Sequence, residues 1–422
     1  MSEKPVEMSA GRRIVRNAAS VVLGDAAGDV FAGYAIILAA TSLGPAGFGR
    51  LSEAQAFVEP FDALAALGLG NVALTTAARR GACDGALRGT VLGIRMVSAA
   101  CAIAIGLGLT LALGRGHLLP LLGVCAAAML VTPASVVSLL PFQFHQTIHR
   151  RIAVPAVIGI VSLASAYAAF WLFRQPLGFQ LAPLVSALVA AGLNFRWAQR
   201  IYPGRLYFDR ALAWDLLRLG WPAAVLEFVV TLYMRASYFF LHDAGAAVQG
   251  QYAAADRLLR PVMGIAGAVV VSALPTLALL VAEGKHAALQ ASYRTSVVRV
   301  AVGFLPIAAG AWLLAGPLLH GFVPEYSDAI WPFRILVLGA FFVFLNMLST
   351  TYIVALGQFR TIMIVAICNL FIYFLLALHL IPRYGAIGAA VATATMEAVS
   401  TIMQLAVVYR LLGRAPKTLA TN

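Results

Sequence analysis

Residues Leu43 to Phe61 read LGPAGFGRLSEAQAFVEPF, and residues Ala244 to Val262 read AGAAVQGQYAAADRLLRPV. At an offset of 201 residues Gly44 falls on Gly245, Ala46 on Ala247, Gly49 on Gly250, Ala54 on Ala255 and Pro60 on Pro261. Alanine is abundant in this chain, so the glycines and the mid-helix proline carry the comparison. A second echo sets PFQFHQTIHRR (Pro141–Arg151) against ALGQFRTI (Ala355–Ile362). Paired halves with interrupted helices at matching positions are characteristic of membrane transporters, with the site at the interface of the repeats.

Composition agrees with a membrane setting. The 422 residues are 61% hydrophobic and 11% charged, with a mean hydropathy of +0.88. A soluble domain carries roughly 25% charged residues, and a spanning helix needs about 20 mostly apolar ones. That length divides the chain into twelve spans, the first near 17–42 and the last near 385–409. Backbone groups in lipid must be paired internally, and runs this long suit helices rather than the alternating strands of a barrel. The expected fold is an all-α polytopic membrane protein with about twelve transmembrane helices in two pseudo-symmetric lobes of six. The polar connection Gln199–Pro222 separates an N-terminal lobe, 1–204, from a C-terminal lobe, 205–422.

The net charge of +13 is explained by its placement. With the N-terminus inside, 21 Lys and Arg fall in cytoplasmic segments and 5 on the opposite side. This bias puts both termini in the cytoplasm of a multi-pass cell (inner) membrane protein and excludes nucleic acid as the partner. The four cysteines show no CxxC spacing, so neither a disulfide framework nor a metal site is expected. His145 and His149 stand four apart but beside Arg150 and Arg151, with no carboxylate nearby, and read as an interfacial elbow. LGLGN (Leu67–Asn71) lacks the strand–turn–helix context of a nucleotide loop and reads as helix packing. No catalytic motif is found, no cofactor is implied, and no loop is long enough for a soluble catalytic domain. The chain is not expected to be an enzyme.

One further stretch, HLIPRYGAIGAAVATATMEAV (His379–Val399), interrupts two apolar runs. Pro382 ends one helix, Gly385 supplies the turn, and Gly388 with Ala389 and Ala390 lets the returning helix approach closely. This hairpin resembles the last hairpin of the polysaccharide exporters in the multidrug/oligosaccharidyl-lipid/polysaccharide superfamily. LGPAGFGRLSEAQAF resembles their first external turn and second helix, LLRLGWP (Leu216–Pro222) the start of their second lobe, and GQYAAADRLLRP their eighth helix. FVPEYSDAIWPFRILVLG (Phe322–Gly339) and VALGQFRTIMIVAICN (Val354–Asn369) resemble their tenth and eleventh. The resemblance implies a V-shaped, two-lobed transporter that flips lipid-linked oligosaccharides, as O-antigen and exopolysaccharide flippases do. Many relatives carry fourteen spans.

Ionisable residues inside spans cost about 2.5–3.5 kcal/mol each at a helix centre and are functional candidates. Asp25 and Asp29 share a face of the first span; Glu53, Glu59 and Asp62 lie in the second; Arg95 lies in the third. Glu227 and Arg235 lie in the seventh, Asp256, Arg257 and Arg260 in the eighth, and Glu397 in the twelfth. Arg235, Arg257, Arg260 and Arg95 are the candidate substrate-binding residues, because an anionic lipid headgroup is held best by guanidinium forks. Asp25, Asp29, Glu59, Asp62 and Glu227 are the candidates for coupling or gating, with a proton or sodium as coupling ion. Glu59–Pro60 falls on Arg260–Pro261 at the repeat offset, so Glu59 and Arg260 are expected to pair when the outer side closes.

Three functions follow from this pattern. The first is flipping of an undecaprenyl-diphosphate-linked oligosaccharide by alternating access, in concert with polysaccharide polymerase machinery. The second is a drug/cation antiporter of the multidrug and toxin extrusion type, which the acidic first lobe favours. The third, a membrane glycan polymerase or ligase, calls for sizeable external loops, and here those loops are short.

Overall fold

The computed structural model describes residues 10–147, 153–322 and 324–413. Among the described residues the chain folds into helices joined by short turns. These are α1 (Ala10–Ala66), α2 (Leu69–Arg80), α3 (Gly85–Ala112), α4 (Leu119–Phe144), α5 (Ala153–Leu172) and α6 (Pro176–Ile201). They continue with α7 (Arg210–Phe240), α8 (Ala246–Ala282), α9 (His286–Phe322), α10 (Ile330–Ala355) and α11 (Phe359–Gly413). Nine stretches among the described residues are long and apolar enough to cross a membrane. Helix α1 runs for 57 residues and α11 for 55, each more than one bilayer thickness requires. The chain is an all-α polytopic membrane protein, as its hydropathy predicts.

Where spans one and two are expected as separate helices, the backbone carries only a break at Gly44 (φ 62°) inside α1. The break between the expected spans eleven and twelve is Gly385 (φ 53°) inside α11, the position at which the sequence places the turn. A Cβ on Gly388 would stand 2.2 Å from the Leu380 carbonyl oxygen, so the two arms of this hairpin meet at a distance only glycine allows.

The repeat predicted from Leu43 and Ala244 is visible in the backbone. Gly44 and its counterpart Gly245 (φ 99°) both take positive φ. Helix α2 ends where Gly81 N–H donates to the Ala78 carbonyl and Ala82 N–H to that of Ala77, and α8 ends identically through Gly284 to Val281 and Lys285 to Leu280. At the second echo, α4 closes through Gln146 (φ 54°) to Gln143 and Thr147 to Phe142, and α10 through Gly357 (φ 72°) to Val354 and Gln358 to Ile353. Each is the same double-bonded left-handed cap, which satisfies carbonyls the helix end leaves open. The register slips from one pair to the next, and the largest slip accompanies α9, which has 37 residues where α3 has 28.

The helices form two compact units. One is built on residues up to Leu43 and Glu53–Thr231; the other is built on Gly44–Ser52 and the chain from Leu232 onward. In the first, Leu69, Leu87, Val91, Leu140 and Leu216 form a buried core drawn from α2, α3, α4 and α7. Gly220 and Gly68 face each other across it: a Cβ on Gly220 would stand 2.6 Å from the Leu67 carbonyl oxygen. The LGLGN stretch is therefore packing, and it also breaks the chain between α1 and α2 at Leu67 (φ 51°) and Gly68 (φ 60°). The extended segment after α6 lies along α3, with Asp209 N–H donating to Thr90 Oγ1 at 2.9 Å and Arg88 Nη1 to the Tyr202 carbonyl at 3.1 Å.

In the second unit, Leu277, Tyr293, Leu348, Tyr352 and Val408 form the core of α8, α9, α10 and α11. Residues 44–52 cross the start of α8. A Cβ on Gly49 would stand 2.0 Å from the Ala246 carbonyl oxygen, and one on Gly250 1.9 Å from that of Pro45.

Candidate functional site

Two groups of ionisable side chains stand inside the helices, one in each unit. In the first, Arg95 projects from α3 and is 8% exposed. It interacts electrostatically with Asp62 near the end of α1 and Glu227 in the middle of α7. Glu59, one turn above Asp62, adds a further negative charge to that neighbourhood. Ser98, one turn beyond Arg95, donates to the Ala65 carbonyl at 2.6 Å and ties α3 to the end of α1. Arg95 Nε is buried and has no hydrogen-bond partner among the described residues. The guanidinium is thus surrounded by acids without a tight ion pair, and carboxylates outnumber it.

Higher in the same unit Glu53, 3% exposed, lies 3.5 Å from Arg115. Arg115 belongs to the turn before α4. A charge-neutral pair of this kind lets Glu53 stay buried. Gln180 accepts from Gln55 at 2.9 Å and donates to Cys125 Sγ at 3.1 Å, a second polar link across the unit. His145 caps α4 and stacks on Tyr202 with ring centroids 4.7 Å apart. His149 and the side chains of Asp25 and Asp29 lie outside the described residues.

In the second unit three candidates come together. Arg235 Nη1 on α7 lies 3.3 Å from Asp256 Oδ2 on α8, and Arg260 Nη2 lies 3.8 Å from the same oxygen. The Tyr238 hydroxyl also donates to Asp256 Oδ2, at 3.2 Å. Arg257, the third predicted arginine, places its guanidinium 5.6 Å from the ring centre of Phe48. That ring meets Tyr326 edge-on, and Gln251 Nε2 donates to the Glu325 carbonyl at 2.9 Å, so the turn before α10 closes over the start of α8. Arg257 and Arg260 stand three apart on α8, as the sequence indicates, and Arg260 shares Asp256 with Arg235.

Sequence reasoning placed Asp256 inside a helix and named it, with Asp62, only as a residue that could complete the expected Glu59–Arg260 pair. The i,i+4 relation of Asp256 to Arg260 was the available signal; the approach of Arg235 from another helix was not readable. A row of hydroxyls follows in the same unit: Ser237 Oγ donates to the Tyr252 hydroxyl at 2.9 Å and shares a hydrogen bond with the Tyr373 hydroxyl at 2.5 Å. Beyond it Asn346 Nδ2 donates to Glu397 Oε2 at 2.6 Å, with both residues buried. Asn369 Nδ2 donates to Ser400 Oγ at 2.9 Å and Gln404 Nε2 to the same oxygen at 3.2 Å, whereas the amide oxygens of Asn346 and Asn369 are buried with no hydrogen-bond partner among the described residues.

Among solved structures, the chain is similar to a multidrug resistance MATE family transporter of the MOP superfamily in its inward-facing conformation. The TM-score is 0.71 at 16% identity, over 92% of this chain and 96% of that one. The outward-facing conformation of a MATE family transporter matches with a TM-score of 0.67, again at 16% identity, over 96% of each chain. The lipid II flippase MurJ in its inward closed conformation matches with a TM-score of 0.70 at 13% identity, over 93% of this chain and 87% of that one. These similarities establish a MATE-like fold. Comparison with curated proteins returns no match. The profile of the family described as "Polysaccharide biosynthesis protein" matches residues 14–281, well over half of the chain. The repeat, the hairpin turns and this match agree: the chain belongs to the polysaccharide biosynthesis protein family.

Proposed function

We propose that the protein is a membrane transporter that flips an undecaprenyl-diphosphate-linked oligosaccharide from the cytoplasmic to the outer leaflet by alternating access. The observation that carries this reading is the convergence of Arg235 and Arg260, from different helices, within 4 Å of a single carboxylate oxygen. Guanidinium forks arranged around an anion are the arrangement a diphosphate needs. Membership in the polysaccharide biosynthesis family supports a glycan as cargo, and one of the similar folds is a lipid II flippase. In this reading Arg235, Arg257, Arg260 and Arg95 hold the headgroup. Asp25, Asp29, Glu59, Asp62 and Glu227 serve coupling or gating, driven by a proton or sodium gradient or by the membrane potential. Twelve spans in two lobes, both termini in the cytoplasm of the inner membrane, and polysaccharide polymerase machinery as downstream partner complete the proposal.

The test is complementation of a strain lacking glycan export. Ala at Arg257 or Arg260 abolishes export while the protein level is unchanged; full export by the double variant overturns the assignment. A second reading, a drug/cation antiporter, is favoured by the excess of carboxylates around Arg95 in the first unit. It predicts drug resistance on expression and no rescue of glycan export.

A further inference from the structure

The extended segment after α6 carries a surface that the transport reading does not use. Gly85, Gly89 and Gly93 stand four apart on α3, and a Cβ on any of them would come within 2.7 Å of Arg205, Tyr207 or Phe208 in turn. The segment is therefore seated on a glycine groove of α3, and Tyr207 N–H donates to the Gly85 carbonyl at 3.3 Å. Its acid is already engaged: the Asp209 carboxylate accepts from Ala211 N–H at 2.9 Å and from Leu212 N–H at 3.1 Å and caps α7. What the segment leaves uncovered are the rings of Tyr207 and Phe208, 59% and 57% exposed.

The first turns of α7 continue this surface. Leu212, Ala213 and Leu216 are buried in the core of the first unit, whereas Arg210, Trp214, Arg218 and Trp221 are exposed. With 3.6 residues per turn, these four fall within an arc of about 80°, on the side opposite the buried three. The Arg218 guanidinium stands 5.7 Å from the Trp214 ring centre. Asp215 is exposed but lies about 60° outside the arc. Among the described residues neither Arg210 nor Arg218 has an ion pair. Arginines interleaved with indoles on one helix face fit the boundary where headgroups meet hydrocarbon, because Trp settles there and cations attract anionic lipid. The stripe rises about 16 Å from Arg210 to Trp221, more than the roughly 5–8 Å depth of one headgroup layer.

We infer that the Arg210–Trp214–Arg218–Trp221 face of α7, with Tyr207 and Phe208 beside it, is a binding surface for anionic phospholipid headgroups. Arg210 and Arg218 hold the phosphate, and the acyl chains run past Trp221 into the hydrocarbon. Seating on the α3 glycines fixes the backbone that carries the two exposed rings, so this part of the surface needs little ordering when the lipid arrives. Arg235 and Arg260 take no part, and the surface is independent of the diphosphate site proposed above.

The experiment uses the purified full-length protein in a neutral detergent, offered phosphatidylglycerol and phosphatidylcholine with the same acyl chains. Native mass spectrometry counts each lipid retained. The wild type should prefer phosphatidylglycerol, and Arg210→Gln with Arg218→Gln should lower that preference about fivefold per arginine removed. Arg294→Gln with Arg299→Gln, which removes two exposed arginines of α9, should leave it unchanged. Should the α7 variant fail to fold, the wild type alone still decides: a photoactivatable phosphatidylglycerol should cross-link within residues 206–221. No preference in the wild type, an equal loss in both variants, or cross-links confined to other segments overturns the inference. Displacement of phosphatidylglycerol by an equal concentration of farnesyl diphosphate would give this face to a diphosphate cargo, and overturns it as well.

Discussion

Gly49 and Gly250 are counterparts in the repeat, and each sits against the backbone carbonyl of the residue four positions before the other, Ala246 for Gly49 and Pro45 for Gly250. The two crossing segments therefore contact each other reciprocally, with a local two-fold relation. A methyl group at either glycine would overlap a carbonyl oxygen, which cannot be relieved by a side-chain rotation.

Gly49→Ala and Gly250→Ala should each destabilise the second unit by about 1–3 kcal/mol, the usual range for overpacking. Thermal unfolding in detergent reads this as a fall in Tm. Gly33→Ala serves as the control, since nothing lies within 4 Å of a Cβ there. Equal midpoints for the control and the two crossing variants would show that the crossing adds nothing.

Removing one partner of the Arg235–Asp256 pair should be worse than removing both. Arg235→Gln leaves a carboxylate without its nearer cation, and Asp256→Asn leaves a guanidinium without its carboxylate. The double variant should recover part of the loss, with a coupling of about 0.5–3 kcal/mol between the sites. Additive losses measured by denaturant or heat would mean the contact is energetically silent.

Glu397 should tolerate Gln better than Asn346 tolerates Leu. Gln keeps an acceptor for the Asn346 amide, whereas Leu at 346 leaves a buried carboxyl without its donor, at a cost of about 1–3 kcal/mol. Detergent stability of Glu397→Gln, Glu397→Ala and Asn346→Leu ranks them, and a Gln variant as unstable as the Ala variant would contradict the hydrogen-bond account.

Cys83 lies in the turn between α2 and α3, where burial pushes its thiol up to about 11. The nearby Arg88 offsets this only in part. Its thiolate is scarce at neutral pH, and alkylation needs the thiolate. Labelling of Cys83 by a water-soluble maleimide should be slow at neutral pH and accelerate about tenfold per pH unit toward 11. A fast, pH-independent reaction would mean that the turn is open.

The fold was legible where a glycine or proline had to sit. Gly44, Gly245 and Gly385 announced their breaks because positive φ leaves few other choices. The hydropathy runs announced the helices because lipid admits little else. The break at Leu67 was not legible, because a leucine there gives no local sign of positive φ and only the packing of Gly220 explains it. In the charged groups, sequence named Arg235 and Arg260 and set Asp256 beside Arg260 but not beside Arg235, and it gave Arg115 no part in the burial of Glu53. Pairings between helices depend on rotation about each axis, and that is set by the packing of many weakly specific apolar contacts.

The Arg235–Asp256 pair also bears on how the chain enters the membrane. Helices α7 and α8 are joined by only a short turn, Leu241–Gly245, so they can insert together as a hairpin. Inserted singly, α7 would carry Arg235 without Asp256, at about 2.5–3.5 kcal/mol for a charge at a helix centre. Inserted as a hairpin, the arginine and the aspartate neutralise each other before either reaches the hydrocarbon. Biogenesis then depends on the same contact as the mature protein, and a variant that breaks the pair would show its first defect as poor insertion by the translocation machinery, upstream of any loss of transport.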